Sequence, residues 1–201
     1  RQTNIVRMMA YSSISQGGFV LMPLAVAGMA DVSAAALRSV VVYMLMYAAT
    51  NLGMFAVIIA VSRKTRSGEI SSWGGLFSYA PGLASLATIF LASLAGIPPL
   101  GGWIGKFTAF QALLSSGSGW GYALALVGAV NSVIAFGYYG TVMREMWMKP
   151  VPDGDTTHVA VPGSLGLALA ITSVATLVLG VLPGVATHFG DIARITGAFG
   201  G

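Results

Sequence analysis

The sequence contains no cysteine and very little charge. Zero cysteines among 201 residues exclude disulfides, thiolate-bound zinc, iron–sulfur clusters and cysteine nucleophiles from this chain. Charged residues make up only 8% of the chain, whereas hydrophobic residues make up 56%. At a mean hydropathy of +0.81, a soluble globule of this length would lack the polar surface to cover itself. The composition therefore predicts an integral membrane protein.

The basic residues do not form a patch. The formal net charge is +4 and the sequence pI is about 9.6, values that are also found in nucleic-acid-binding proteins. However, the lysines and arginines are scattered among a few loops, with no basic face and no interleaved aromatic residues. Membrane topology explains this distribution, because basic residues collect in the loops on one side of a membrane. We therefore expect a lipid bilayer, and no nucleic acid, as a partner.

Five apolar segments are long enough to cross the hydrocarbon core of a bilayer, which is about 30 Å thick. They cover approximately residues 8–29, 34–61, 80–115, 120–147 and 163–182. The third segment is too long for one straight span, because a helix over 80–115 would extend about 54 Å. In a hairpin, its second limb would reach only about 20 Å, which is too short to cross. One span made of two half-helices therefore fits better.

Loop charge gives an independent check on this count. With the third segment as one pass, one side of the membrane receives Arg1, Arg7, Arg63, Lys64, Arg66, Arg144 and Lys149. That side is then predicted to be cytoplasmic, whereas two passes would place Lys149 opposite the basic loop at 63–66. The predicted fold is an all-α, polytopic transmembrane helix bundle of about five spans, one of them discontinuous.

The middle of the third segment combines helix-breaking residues with a lysine. Residues 94–107 read Leu-Ala-Gly-Ile-Pro-Pro-Leu-Gly-Gly-Trp-Ile-Gly-Lys-Phe. Broken backbone hydrogen bonds persist in a membrane only where protein or water surrounds them. The break is compatible with a kink for close packing and with freed carbonyls beside a conducting cavity. The residues predicted to form it are Gly96, Pro98, Pro99, Gly101 and Gly102.

Lys106 is the candidate catalytic residue, as a proton carrier. An ionisable side chain inside a membrane segment is a functional candidate by default, and a lysine can gain or lose a proton as its surroundings change. The alternative is an interfacial lysine with its stem in lipid and its ammonium among the headgroups. We favour the proton carrier, because several apolar residues separate Lys106 from either end of its segment.

Polar residues on the first two spans are candidates for lining a proton path. Tyr43, Tyr47 and Asn51 recur at every fourth position, which places them along one side of a helix. They either line a hydrogen-bonded water path or pair across helices, and the same alternatives apply to the polar start of the first span. The candidate lining residues are Tyr43, Tyr47, Asn51, Ser12 and Ser13.

Three stretches resemble the antiporter-like membrane subunits of respiratory complex I. They are Gln-Thr-Asn-Ile-Val-Arg-Met-Met-Ala-Tyr-Ser-Ser-Ile-Ser-Gln at 2–16, Tyr-Met-Leu-Met-Tyr-Ala-Ala-Thr-Asn-Leu-Gly-Met-Phe at 43–55, and Ser93 followed by the motif that ends at Phe107. The third stretch is highly specific, and the resemblance extends over most of the chain. The Tyr43, Tyr47, Asn51 stripe is similar to that of the subunit N type within this family.

The resemblance implies that these residues are the last five of fourteen transmembrane helices, in the C-terminal portion of a proton-translocating subunit. The broken span would be the twelfth helix, and Lys106 would match the lysine of the distal proton half-channel. The complex uses NADH and quinone elsewhere, so this chain would carry no redox centre, cofactor or metal. Its partners would be the other membrane subunits of complex I, in a bacterial inner membrane.

Two other functions remain open. The chain is also similar to a subunit of a multi-subunit sodium/proton antiporter, which belongs to the same group of proteins. Alternatively, it is a structural membrane scaffold that anchors its neighbours. Unchanged activity after replacement of Lys106 would favour the scaffold.

Overall fold

The computed structural model describes residues 2–192, with the side chain of Ile192 left aside, and this part of the chain is mainly helical. Arg1, counted above among the basic loop residues, lies outside it. The α-helices are α1 (Ile5–Leu21), α2 (Ser33–Thr65), α3 (Leu76–Tyr79), α4 (Pro81–Ala95), α5 (Gly101–Ser115), α6 (Gly119–Met148), α7 (Gly163–Val181) and α8 (Pro183–Ile192). Short 3-10 helices cover Met22–Val26 and Ile70–Trp73. The predicted all-α bundle with one discontinuous span is confirmed.

Local chemistry explains where two helices differ from the predicted limits. The α form of α1 ends at Leu21, and a 3-10 helix continues the chain because Pro23 has no N–H to donate. α2 extends beyond its apolar part through Arg63 and Lys64 to Thr65. Arg66 then ends α2 in the left-handed conformation at φ 50°. Basic residues in a last turn stabilise the negative end of the helix dipole.

Three helices, α2, α6 and α7, are each long and apolar enough to cross a membrane. α6 is also apolar on its outer face, where Val133 is 73% exposed and Val127 is 63% exposed. A helix that is hydrophobic all round belongs in lipid or against another apolar surface. α4 and α5 have 15 residues each, so each alone extends only about 23 Å and does not span the bilayer.

Together, α4 and α5 form one pass beside α2. Contacts between α2 and this pair are Gly53 with Phe90, Thr50 with Ser93, Met46 with Gly101, and Tyr43 with Gly105; Ala36 and Ala112 share a hydrophobic cluster. In this series of contacts, the residue number on α2 decreases as the residue number on the α4–α5 segment increases, both before and after the break. Both half-helices therefore run antiparallel to α2, whereas a hairpin would reverse the order.

Six of the basic residues counted above lie at one end of the bundle, which we call the basic end: Arg7, Arg63, Lys64, Arg66, Arg144 and Lys149. Backbone hydrogen bonds join the start of α1 to the loop after α2, from Ile5 N to Gly68 O at 2.8 Å. They also join that loop to the end of α6, from Gly75 N to Glu145 O at 3.2 Å. The start of α1 and the ends of α2 and α6 therefore lie together.

Lys64 ties the loop between α6 and α7 to this end. Its ammonium donates to the carbonyl oxygens of Asp155 and Thr157, at 2.9 and 2.5 Å, and lies 3.8 Å from the Tyr79 ring centre. Hydrogen bonds from Thr157 lower the pKa of the Asp155 carboxyl. Burial, then the carboxylates of Asp153 and Asp155, raises the pKa of the Tyr79 phenol. At neutral pH the loop is therefore anionic, and the phenol that faces Lys64 is uncharged.

The single-pass arrangement predicts which cysteine pairs form cross-links. Thr50→Cys with Ser93→Cys, and Ala36→Cys with Ala112→Cys, should both form disulfides under mild oxidation, because each pair lies at adjacent positions. Thr50→Cys with Ala112→Cys should not, because about 20 Å of helix separates positions 36 and 50. Gel mobility of the oxidised subunit measures this. A cross-link in the third pair would contradict the single pass.

Candidate functional site at the helix break

The site is built around the last turn of α4, whose carbonyls have no further helix to bond. Gly96 ends the helix at φ +90°, a conformation that glycine adopts without a steric penalty. Its N–H donates to the carbonyls of Ala92 and Ser93, and Ile97 N also donates to Ala92 O. The carbonyls of Leu94 and Ala95 are left for side chains from elsewhere in the bundle.

Lys106 satisfies the second of these carbonyls. It lies in the second turn of α5 and is 3% exposed. Its ammonium donates to Ala95 O at 2.9 Å and lies 4.7 Å from the centre of the Phe19 ring. A Cβ at Gly96 would lie 2.8 Å from Lys106 Cδ, so the glycine also makes room for the lysine stem. The positive charge meets the negative end of the α4 dipole and an aromatic face.

Gln16 satisfies the other carbonyl and links it to two tyrosines. Its amide nitrogen donates to Leu94 O at 3.1 Å and to the Tyr139 hydroxyl at 3.3 Å. Its amide oxygen accepts from the Tyr43 hydroxyl at 2.5 Å. Tyr139 also bonds the Ser12 hydroxyl. The last turn of α4 is thus connected to α1, α2 and α6 through buried polar side chains.

A second set of hydroxyls holds the two half-helices together. Ser93 Oγ accepts from Gly102 N at 3.0 Å, which caps the start of α5 from the end of α4. Thr50 Oγ1 lies 3.1 Å from Ser93 Oγ and 3.4 Å from Thr176 Oγ1. α7 closes over the break, since a Cβ at Gly180 would run into Pro99 O. The geometry of the break is therefore fixed by the bond between α4 and α5 and by contacts from α2 and α7.

The structure brings most of the predicted lining residues together, but not all. Tyr43 and Ser12 are buried and belong to the network around Gln16. Tyr47 is half-buried and donates to Ser13 Oγ at 2.8 Å. Asn51 is half-buried, and its side-chain oxygen has no hydrogen-bond partner within residues 2–192. The predicted stripe on α2 therefore joins the site through its two tyrosines.

Neutral groups surround the charge of Lys106. All six acidic residues of the chain lie in loops or near helix ends: Asp31, Glu69, Glu145, Asp153, Asp155 and Asp191. The space beside Tyr43, Tyr47 and Ser93 has a volume of about 10 Å³, which matches roughly one water molecule. The site is therefore closely packed, and any proton that crosses it is carried by side chains or by single waters.

Sequence reasoning placed Lys106 and the break but did not include Gln16, Tyr139, Ser93 or Thr176 among the site residues. Gln16 is the last residue of the polar stretch at the start of the first span, so its position could have indicated a place in the site. Tyr139 bonds Ser12, 127 positions away in the chain, and the sequence gives no signal for that pairing. Ser93 and Thr176 look like ordinary polar residues of membrane helices until the fold places them beside Thr50.

Apolar helices, an interrupted span and a buried lysine at the interruption define a polytopic membrane protein with an ionisable group at a broken helix. The chain belongs to the transmembrane family described as NADH:quinone oxidoreductase/Mrp antiporter, which matches residues 1–134. The resemblance identified in the sequence is confirmed.

Curated relatives support this assignment over nearly the whole chain. NADH-quinone oxidoreductase subunit N of Heliobacterium modesticaldum is 38% identical over 96% of this chain and 39% of the relative. NADH-quinone oxidoreductase subunit N 2 of Solibacter usitatus is 40% identical over 90% of this chain and 35% of the relative. The chain spans less than two fifths of the length of these relatives.

Solved structures share the fold. Respiratory complex I from Thermus thermophilus contains a chain that is 26% identical, with a TM-score of 0.70 over 93% of this chain and 40% of that chain. The Mrp complex from Dietzia sp. DQ12-45-1b contains one that is 27% identical, with a TM-score of 0.73 over 96% of this chain and 20% of that chain.

Two glycine substitutions separate backbone strain from crowding at the lysine. Gly96→Ala and Gly117→Ala both place a Cβ on a left-handed residue, which costs about 1–2 kcal/mol, but a Cβ at Gly117 meets nothing within 4 Å. We expect Gly96→Ala to lower the melting temperature of the detergent-solubilised protein more than Gly117→Ala does, because Lys106 must move. Equal losses would show that the space at Gly96 is not needed by the lysine.

Proposed function

We propose that this chain is the C-terminal portion of a proton-translocating membrane subunit of NADH-quinone oxidoreductase, and that Lys106 is its proton carrier. The quinone chemistry then takes place in other subunits, and the membrane partners are the neighbouring subunits of that complex. The observation that carries the proposal is the environment of Lys106: a buried ammonium held by the open end of a broken helix, with neutral groups around it. The names of the curated relatives supply the assignment to the complex.

In this proposal, two opposing effects act on the charge of Lys106. Burial disfavours the ammonium, whereas the Ala95 carbonyl, the end of α4 and the Phe19 ring favour it. Because no carboxylate locks the charge in place, a modest rearrangement at the break changes the balance between the two states. A displacement of α4 relative to α5 lengthens the bond from Nζ to Ala95 O and releases the proton. The reverse movement allows the amine to bind one.

A second candidate function is the subunit of a sodium/proton antiporter, which the likeness to the Mrp complex favours. A sodium ion in this site would need oxygen ligands. The last four carbonyls of α4 already accept hydrogen bonds from Gly96, Ile97, Gln16 and Lys106. A carbonyl oxygen can accept a second contact, but the Lys106 ammonium at the Ala95 carbonyl repels a sodium ion there. This repulsion supports a proton rather than sodium as the ion that the break handles.

Replacement of the proton carrier is the main test. Lys106→Met should abolish NADH-driven proton uptake by membrane vesicles while the subunit still assembles, because methionine fills the space without a titratable group. The matched control is Lys149→Met, since Lys149 is exposed at the basic end. Fluorescence quenching of an acridine dye measures uptake, and immunoblots measure assembly. Undiminished uptake in Lys106→Met would contradict the proposal and favour a scaffold.

We further propose that the basic end faces the cytoplasm, since basic residues in short loops remain on that side. Thr156→Cys should react with an impermeant maleimide in inside-out vesicles, and Asp31→Cys in right-side-out vesicles. Both positions are exposed, and they lie at opposite ends of the bundle. The opposite labelling pattern would reverse the orientation.

A further inference from the structure

Gln16 lies where α1, α2, α6 and the end of α4 meet, and it is 2% exposed. Its amide makes three hydrogen bonds: two from Nε2, to Leu94 O and the Tyr139 hydroxyl, and one to Oε1, from the Tyr43 hydroxyl. Both amide hydrogens and one lone pair of the oxygen are therefore used. The side chain is the junction between the helix break and two tyrosines on different helices.

The Leu94 carbonyl determines which way this amide faces. A carbonyl oxygen can only accept a hydrogen bond, so the NH₂ group must point at Leu94 and the amide oxygen at Tyr43. Tyr43 must then donate its hydrogen to Gln16. The flipped amide would bring two acceptors together and leave a buried carbonyl unpaired, which burial penalises strongly.

The amide also interrupts a chain of groups that can exchange protons. Tyr43, Tyr139 and Ser12 carry hydroxyls, which both donate and accept. Glutamine is not among the side chains that titrate, so it does not take up a proton from one neighbour and release another. Hydrogen bonds therefore connect the break to Tyr139 and Ser12 without a gap. Gln16, however, blocks proton transfer along this connection.

The same amide controls what Lys106 can contact. The Leu94 and Ala95 carbonyls are consecutive, and both lack a backbone partner among residues 2–192. Gln16 occupies the first, so the ammonium donates to the second. Without the amide, the Leu94 carbonyl would be free to attract the same ammonium.

We propose that Gln16 is a positioning residue for Lys106 and a barrier to protons: its amide reserves the Ala95 carbonyl for the ammonium and separates the break from the hydroxyls that lead to α6. This inference rests on the proposed function of Lys106. It adds that the hydrogen-bonded series from Gln16 through Tyr139 to Ser12, which we call the tyrosine branch, does not conduct protons.

Two substitutions of similar length test the two parts of this role. Gln16→Met removes the hydrogen bonds, and NADH-driven proton uptake should fall about fivefold or more, the change that one ordinary hydrogen bond represents. Gln16→Glu places a titratable group in the junction. Vesicles with this variant should lose an imposed proton gradient faster than wild type without turnover, whereas vesicles with Gln16→Met should not. If the two variants lost the imposed proton gradient at the same rate, the proposal would be overturned.

The leak provides a further check, because it should depend on the tyrosine branch. Adding Tyr139→Phe to Gln16→Glu removes the next hydroxyl and should suppress the leak. A leak that persists in the double variant would contradict the proposed route. The matched controls are Gln111→Glu and Gln111→Met, since Gln111 is exposed on α5. If Gln16→Glu does not assemble, Gln16→His also introduces a titratable group.

An infrared measurement separates this inference from the proposed function. The C–O stretch of labelled tyrosine reports hydrogen bonding, and it should shift in Gln16→Met but not in Gln111→Met, whether or not the protein pumps. No shift would overturn the positioning role. Normal proton uptake in Lys106→Met would instead contradict the proposed function. It would not change the infrared evidence for the Gln16–Tyr43 hydrogen bond.

Discussion

The need to satisfy the carbonyls at the end of α4 determines the arrangement of the whole site. A helix that stops inside a membrane leaves acceptors that water cannot reach, and each one unpaired would cost several kcal/mol. Gly96 and Ile97 bond two of the last four carbonyls, and Gln16 and Lys106 bond the others. The break therefore requires two further donors, and they come from α1 and α5. The hydrogen bond from Lys106 Nζ to Ala95 O is thus needed by the fold and is also the centre of the candidate chemistry.

This requirement explains why a lysine can be buried here without a carboxylate. An isolated ammonium in an apolar interior is strongly disfavoured, but the end of a helix offers partial negative charge and a free carbonyl in one place. The Phe19 ring adds a second favourable contact. Such a site stabilises the charge less than an ion pair would. A weaker hold on the proton is consistent with the proposed role of Lys106 as a proton carrier.

The sequence predicted the local features of this site and could not predict the long-range ones. Glycine and proline act on the backbone where they stand, so the break was visible at Gly96 to Gly102. Periodicity likewise placed Tyr43 and Tyr47 on one face of α2. The partners of these residues depend on which helices become neighbours. Tyr139 meets Ser12 across 127 positions, and only the packing of α6 against α1 reveals it.

α2 links the basic end to the helix break within one rigid element. Its 33 residues extend about 50 Å, well beyond the hydrocarbon core. Lys64 at its outer end holds the loop after α6, and Tyr43, about 30 Å further along the axis, bonds Gln16. Because α2 is one unbroken helix between these two positions, a tilt of α2 that moves the loop also moves Tyr43. The exposed loop and the buried Gln16 are thus attached to the same continuous helix.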